Sequence, residues 1–335
     1  MKFNFRKQVL FTGAGFTKNF GGFLGNDMWQ EIFNEMAGFL KIRKILLERR
    51  PNYESVYSFV LRKKPEDFEE REKEAFKNAI KLAYQKLDRI VCENYVGGYK
   101  RHNIFLPFLK RFVGSFAGSN SGERGIFLTL NQDLFFERFC GYKAPLLGQF
   151  SLKLHEKAAD LQETDFERMP KDDELKRKII KYDDEFFDTD GDFFLFKLHG
   201  SYGWLSSDGS DLMVLGEEKE GDIAKEPLLK WYNDMFKNVL FRDGVEMLII
   251  GYSFNDPHIN KIFLDAIKNH GLKFCLISPS PENQISKIQE DGLMDGLHKV
   301  FKYSLSDIFP HDQTRTAALK EILDTYPHIQ ERAKF

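Results

Sequence analysis

The sequence predicts an α/β fold, a parallel sheet with helices on its faces and helical insertions between its strands. Two observations carry this. Apolar runs of strand length recur at Val9-Leu-Phe11, Ile126-Phe-Leu-Thr-Leu130, Phe193-Phe-Leu-Phe-Lys-Leu198, Val245-Glu-Met-Leu-Ile-Ile250, Leu272-Lys-Phe-Cys-Leu-Ile277 and Val300-Phe-Lys-Tyr303, with amphipathic stretches between them. Strands that alternate with helices form a parallel sheet. Three of the runs also end abruptly on small or polar residues, at Gly13-Ala-Gly15, Asn131-Gln-Asp133 and His199-Gly200. That places these residues at the carboxyl edge, where open parallel sheets bind ligands.

Taken in order, Val9 to Thr17 reads as a strand, a glycine turn and a helix entrance, a junction that presents backbone N–H groups to a phosphate. Asn26 or Asp27 suits as the cap of a helix whose apolar positions Trp29, Ile32, Phe33, Met36 and Leu40 recur at three-to-four spacing. From about Tyr53 to Phe116 the pattern is helical, with Phe76, Ile80, Ala83, Leu87, Ile90 and Val91 on one stripe. A helical insertion is expected over about residues 51–118. Between Glu156 and Asp190 charges of both signs crowd around Pro170 with few apolar residues, so an exposed, partly helical excursion is expected over about 154–191. Pro257 suits a first helical turn, and Ile259, Ile262, Phe263 and Ile267 follow at helical spacing, which predicts a crossover helix from Pro257 to His270. The core domain is expected over residues 1–310, with a C-terminal helical segment over 311–335.

At 335 residues the chain is long for one minimal domain and short for three. Its 49 basic and 51 acidic residues leave no general electrostatic reason to expect direct nucleic-acid binding or an anionic membrane. Thirty-four phenylalanines predict a core packed largely by aromatic rings. Cys92, Cys140 and Cys275 are isolated from one another, so neither a structural zinc module nor a disulfide framework is signalled. No signal-like start and no membrane-length apolar run is present. A reducing cytoplasm is the expected compartment, with no membrane partner.

Singly, each motif has a plain structural reading. Gly13-Ala-Gly15 suits any tight turn; it lacks the third glycine of a dinucleotide fingerprint, and no P-loop is present, which argues against a Rossmann dehydrogenase or a P-loop ATPase. Asn131 and Asp133 suit as caps of the helix that begins at Leu134. His199, beside an apolar strand, suits a hydrogen-bonded structural role, while Gly200 would let a ligand approach the backbone. In Gly251-Tyr-Ser-Phe-Asn-Asp-Pro-His258, Asn255 or Asp256 suits as an N-cap.

As a set, Gly-Ala-Gly-Phe-Thr17, Thr129-x-Asn-x-Asp133, Lys197-Leu-His-Gly-Ser201 and Gly251-Tyr-Ser-Phe-x-Asp-Pro-His258 resemble the sirtuin-like domain family. More narrowly they are similar to its bacterial branch of NAD-hydrolysing antiviral defence proteins. The likeness runs from about Val9 to Ser278 and implies a Rossmann-like parallel sheet, sirtuin-like in type, with NAD as the substrate. The four-cysteine zinc module and the Gly-Ile-Pro-x-Phe-Arg loop of protein-deacylating sirtuins are absent, and Phe20-Gly-Gly-Phe-Leu-Gly-Asn-Asp27 stands in the place of that loop. Hydrolysis is therefore expected in place of deacylation.

The resemblance also implies roles. Asn131 orients the nicotinamide ribose or the attacking water, and His199 accepts a proton from water or a ribose hydroxyl, suited by a pKa near neutrality. Asp133 holds the carboxamide. Gly13, Ala14, Gly15 and Thr17, with Phe16 in the same turn, cradle the diphosphate, while Gly251 and Ser253 line the adenosine half. No metal is required. The expected reaction gives nicotinamide and ADP-ribose, as a defence effector that depletes NAD. The alternatives are a non-catalytic NAD or ADP-ribose binding module that regulates a partner ATPase, and an NAD-dependent deacylase or ADP-ribosyl transferase. Control is expected from a homo-oligomer or a separately encoded partner such as a DNA-translocating ATPase.

Overall fold

The structure is a computed structural model that describes residues 5–96, 112–114, 116–118, 124–139, 142–144, 148–150, 167–169, 171, 173–177, 193–309 and 316–326. Strand β1 (Phe5–Thr12) leads into a short helix α1 (Ala14–Lys18), followed by α2 (Gly25–Glu35), α3 (Leu40–Glu48), α4 (Tyr53–Ser58) and α5 (Glu70–Val96). The chain then forms β2 (Arg124–Thr129), α6 (Phe135–Phe139), β3 (Tyr142–Ala144), β4 (Gly148–Phe150), β5 (Glu167–Arg168), β6 (Phe194–Lys197), β7 (Gly200–Leu205) and β8 (Asp211–Met213). It closes with α7 (Lys219–Lys225), α8 (Pro227–Leu240), β9 (Glu246–Ile250), α9 (Pro257–His270), β10 (Lys273–Ile277), α10 (Glu282–Glu290), β11 (Leu297–Phe301), α11 (Leu305–Ile308) and α12 (Ala317–Thr325).

The central sheet has the order β11-β10-β9-β1-β2-β6-β3-β4. The six strands from β11 to β6 run parallel, β3 continues in parallel, and β4 returns antiparallel. This is the Rossmann-like α/β sheet the sequence predicts. Its inner strands are apolar without alternation because both faces are covered. Phe11 of β1 packs against Phe236 of α8 and Phe263 of α9. Phe127 of β2, in register with Leu10 and so one residue out of phase with Phe11, points to the opposite face and meets Phe16 of α1 and Phe136 of α6. A second sheet, β5-β7-β8, lies beside the first.

The crossover helix has the bounds that Pro257 and the apolar spacing predict, and Gly271 ends it in a left-handed conformation. Two expected boundaries differ. The N-cap of α2 is Leu24, not Asn26 or Asp27; Asp27 lies inside the first turn, where its carboxylate accepts the Leu24 N–H at 2.8 Å. Strand β11 begins at Leu297, earlier than Val300, because the half-exposed residues Leu297 to Val300 of this edge strand do not read as an apolar run.

Within the predicted helical region, α4 and α5 are joined by one wide turn and a short 3-10 segment, and Phe76, Ile80, Ala83, Leu87 and Val91 of α5 are buried. Residues 97–111 lie outside the described set. Most of the charged stretch 154–191 also lies outside it. Its described part places β5 against β7 and buries Met169 and Leu175. Of 311–335, helix α12 buries Leu319, Ile322 and Leu323. No helix among the described residues is long and apolar enough to cross a membrane.

Candidate functional site

A cavity of about 1300 Å³ runs along the carboxyl edge of the central sheet. Its floor is built by residues that follow strands: Gly13 after β1, Asn131 after β2, His199 after β6, Gly251 after β9 and Ser278 after β10. Tyr53 and Glu54 of α4 and Tyr84 of α5 line it from the helical side.

The turns after β1 and β9 meet backbone to backbone. Gly13 and Gly15 donate their N–H groups to the carbonyls of Ile250 (3.1 Å) and Gly251 (2.9 Å), and Phe16 N–H returns to Gly13 O (2.9 Å). Gly251 has a φ of +67°, and a Cβ there would lie 2.3 Å from Phe16 N. Three amides of the expected phosphate cradle thus hold protein carbonyls, two across to the end of β9 and one, that of Phe16, within the β1 turn itself. The ring of Phe16 is core, 5.3 Å from that of Phe136. Ala14, Gly15, Gly251 and the exposed Ser253 do line the cavity.

Asp133 caps the helix entrance from a position that also lines the cavity. Its Oδ1 accepts the Phe135 N–H (3.0 Å) and its Oδ2 accepts the Thr17 hydroxyl (2.9 Å), so both oxygens are engaged inside the protein. Burial pushes its pKa up, with Lys197 opposing. Lys197, fully buried, donates to Asp133 O (2.6 Å), Glu137 Oε1 (2.6 Å) and Ser201 Oγ (2.8 Å), which ties the β2 turn to β6 and β7. Asn131 is held through its backbone, whose N–H reaches Thr129 Oγ1 at 3.1 Å. Its side chain is different: Oδ1 and Nδ2 are both buried without a hydrogen-bond partner, in a residue that lines the cavity. A native protein leaves few such atoms unpaired, and each asks for an explanation.

His199 is positioned by Gln132, whose Nε2 donates to His199 O (3.0 Å) and Val214 O (2.8 Å) while its Oε1 accepts from Tyr84 OH (2.6 Å). Gly200, with φ +75°, faces the Leu212 carbonyl so closely that a Cβ would lie 2.0 Å from it. Its missing side chain serves the β7–β8 pairing and not the approach of a ligand. The ring of His199 has one hydrogen bond among the described residues, Nε2 to Nε2 of His258 at 3.0 Å. Asp256 stands at the N-cap of α9 without capping it; its carboxylate goes instead to Lys219 Nζ (2.7 Å), which also reaches Glu54 Oε2 (2.8 Å).

This arrangement sets the ionisation of the histidines. Burial holds His199 well below the ordinary histidine pKa, Lys219 adds to the effect and Asp256 opposes it. Burial also lowers His258, against the pull of Asp256. Burial works against the charge on Asp256 too, yet His199 and Lys219 outweigh it and hold the carboxyl below its usual range. Both imidazoles are consequently neutral near pH 7, the form in which one can accept a proton. His199, Asp256 and His258 also bring their ligand atoms within 4.8 Å of one another, as a metal site would. The Lys219 ammonium beside Asp256 works against a cation there.

Of the residues expected from sequence, Gly13, Ala14, Gly15, Asn131, Asp133, His199, Gly251 and Ser253 line one cavity. The sequence assigned no role to His258, Lys219 or Glu54, and to Asp256 only that of an N-cap, a position it does occupy without its side chain capping. The Asp-Pro-His258 spacing was visible at a strand-to-helix junction, whereas nothing around Glu54 or Lys219 marks them out.

Residues 126–295 match the SIR2-like domain family. No curated protein matches the chain. The match takes in Asn131, Asp133, His199 and His258, and the β1 turn outside it packs directly on Gly251 within it. With half of its length matched and the sheet edge built as described, the chain belongs to the SIR2-like domain family, whose members use NAD as a substrate.

Proposed function

We propose that this protein is an NAD hydrolase that cleaves the bond between nicotinamide and ribose, giving nicotinamide and ADP-ribose. The observation that supports the reading most is Asn131, whose buried amide keeps an unpaired donor and an unpaired acceptor at the cavity. A ribose hydroxyl or an attacking water supplies the missing partners. The leaving pyridinium departs as a neutral base and needs no general acid, so the site must stabilise positive charge on the ribose and take a proton from the incoming oxygen. Asn131 is suited to the first task as a fixed dipole. His199, neutral near pH 7 and at the same sheet edge, is suited to the second.

Gly251 and Ser253, across the β9 turn, are suited to the adenosine half of NAD. On the motif resemblance we extend the reading to antiviral defence by NAD depletion, controlled by self-association or a partner ATPase. The test is to incubate purified protein with NAD and resolve the products by chromatography. Nicotinamide and ADP-ribose in equal amounts support hydrolysis; intact NAD removes the reading. Rate per chain across protein concentration, with mass in solution, tests control by assembly.

A further inference from the structure

The strongest feature that the proposed reaction leaves unused is the pairing of His199 with His258. The imidazole nitrogens face each other at 3.0 Å, with ring centroids 5.1 Å apart. At that distance one nitrogen must donate and the other accept, so the pair holds a single proton between the rings. The partner is not accidental in placement: His258 lies in the first turn of α9, one residue after the Pro257 that starts it, and Asp256 before it is fixed by Lys219.

We propose that His258 is a positioning residue for His199, sharing one proton across Nε2···Nε2 and drawing that proton to itself when His199 accepts another. The inference rests on His199 acting as the base in NAD cleavage. In the resting pair, His199 carries its proton on Nε2 and donates it to Nε2 of His258, whose own proton is on Nδ1. Nδ1 of His199 is then the open lone pair. As water attacks the ribose carbon, a C–O bond forms and the C–N bond to nicotinamide breaks, its electron pair leaving with nicotinamide. The water proton goes to Nδ1 of His199, and the Nε2 proton crosses to His258. The pair gains one proton, and the positive charge rests on His258.

Two observations favour that resting place. His258 is the less deeply buried ring, 9% exposed against 3% for His199, so a positive charge loses less hydration there. The groups that face the pair act on both rings: Asp256 favours the charged form of each and Lys219 opposes it, while Glu220 adds to the pull on His258 and Glu54 acts through Lys219. His199, Asp256 and His258 have the spacing of a metal centre, but the shared proton explains the 3.0 Å contact without a cation beside Lys219.

The test compares wild type, His258→Gln and His258→Ala in the full chain. Glutamine can keep a hydrogen bond to Nε2 but cannot take up a proton. Both variants are expected to lower kcat by about a hundredfold, the lower end of what general-base catalysis contributes, with little change in KM. The acid limb of kcat should move to lower pH, because the proton that silences the wild-type pair is held on His258. A His258→Gln variant with wild-type kcat and an unmoved limb would reduce the contact to a structural one and overturn the proposal. Histidine ring resonances give a readout independent of activity: His199 and His258 should titrate as a coupled pair, and His199 should titrate at lower pH in His258→Gln. Independent titration overturns the shared proton whatever the activity. Stoichiometric zinc in wild type that is lost in His258→Ala overturns it in favour of a metal centre. A wild-type chain that leaves NAD intact, while the two histidines still titrate together, removes the hydrolase reading and leaves the shared proton standing.

Discussion

Asn131→Ala is expected to yield a protein that is inactive and yet more stable than wild type. The amide buries one donor atom and one acceptor atom without partners, and an unpaired buried polar group costs about 1–3 kcal/mol. Truncation removes both costs. It also forfeits the packing of the amide, and water entering the space satisfies part of what is lost, so a net gain of about 1 kcal/mol is expected. That is about a fivefold change in the folding equilibrium. The assay is equilibrium urea unfolding of the ligand-free chain, where a higher midpoint at unchanged slope reports stability alone. NAD cleavage, followed by chromatography, should fall by about a hundredfold or more, the usual effect of losing an electrostatic stabiliser. A variant less stable than wild type would show that the amide is satisfied in the folded protein, and the argument from its orphaned atoms would fail. Cleavage at the wild-type rate would remove Asn131 from the chemistry.

Lys197→Met should cost about 3–5 kcal/mol in urea unfolding, because it strands the buried Glu137 carboxylate, and Lys197→Met with Glu137→Leu should recover much of that loss. Gly251→Ala should lower both stability and NAD affinity, measured by unfolding and by binding, since its φ of +67° and its contact with Phe16 N leave a side chain no room. Stability should also fall as pH drops through the ordinary histidine value of about 6.5, because the unfolded chain takes up protons there that the depressed His199 and His258 refuse. His199→Gln should flatten that slope in unfolding measured against pH. Chelators should leave fold and NAD cleavage unchanged, and elemental analysis should find no stoichiometric zinc.

The sheet was legible because its inner strands are buried on both faces and announce themselves as unbroken apolar runs. The edge strand β11, half exposed, did not, and its start was misplaced by three residues. Helix α9 was legible to the residue because Pro257 and Gly271 punctuate it. Asn131 and His199 could be picked out because short motifs end strands on them. The partners of Asp133 could not be resolved from the sequence, since an Asp before a helix reads equally as ligand and as cap, and its bonds to Thr17 and Phe135 appear only in space. Lys219 and Glu54 were invisible, since a charged residue on a polar helix looks like solvated surface until its partners in space are known.

The ion triad Glu54–Lys219–Asp256 joins three parts of the chain that are remote in sequence: the helical region after β1, the short helix after β8, and the turn that leads into α9. The field felt by His199 is thus not a property of the sheet edge alone. A chain trimmed to its strands and crossover helices would keep the histidine and lose the group that anchors its counter-charge. The helices between β1 and β2 are in that sense part of the electrostatic frame of His199, because Glu54 of α4 shares with Asp256 the ammonium that acts on it.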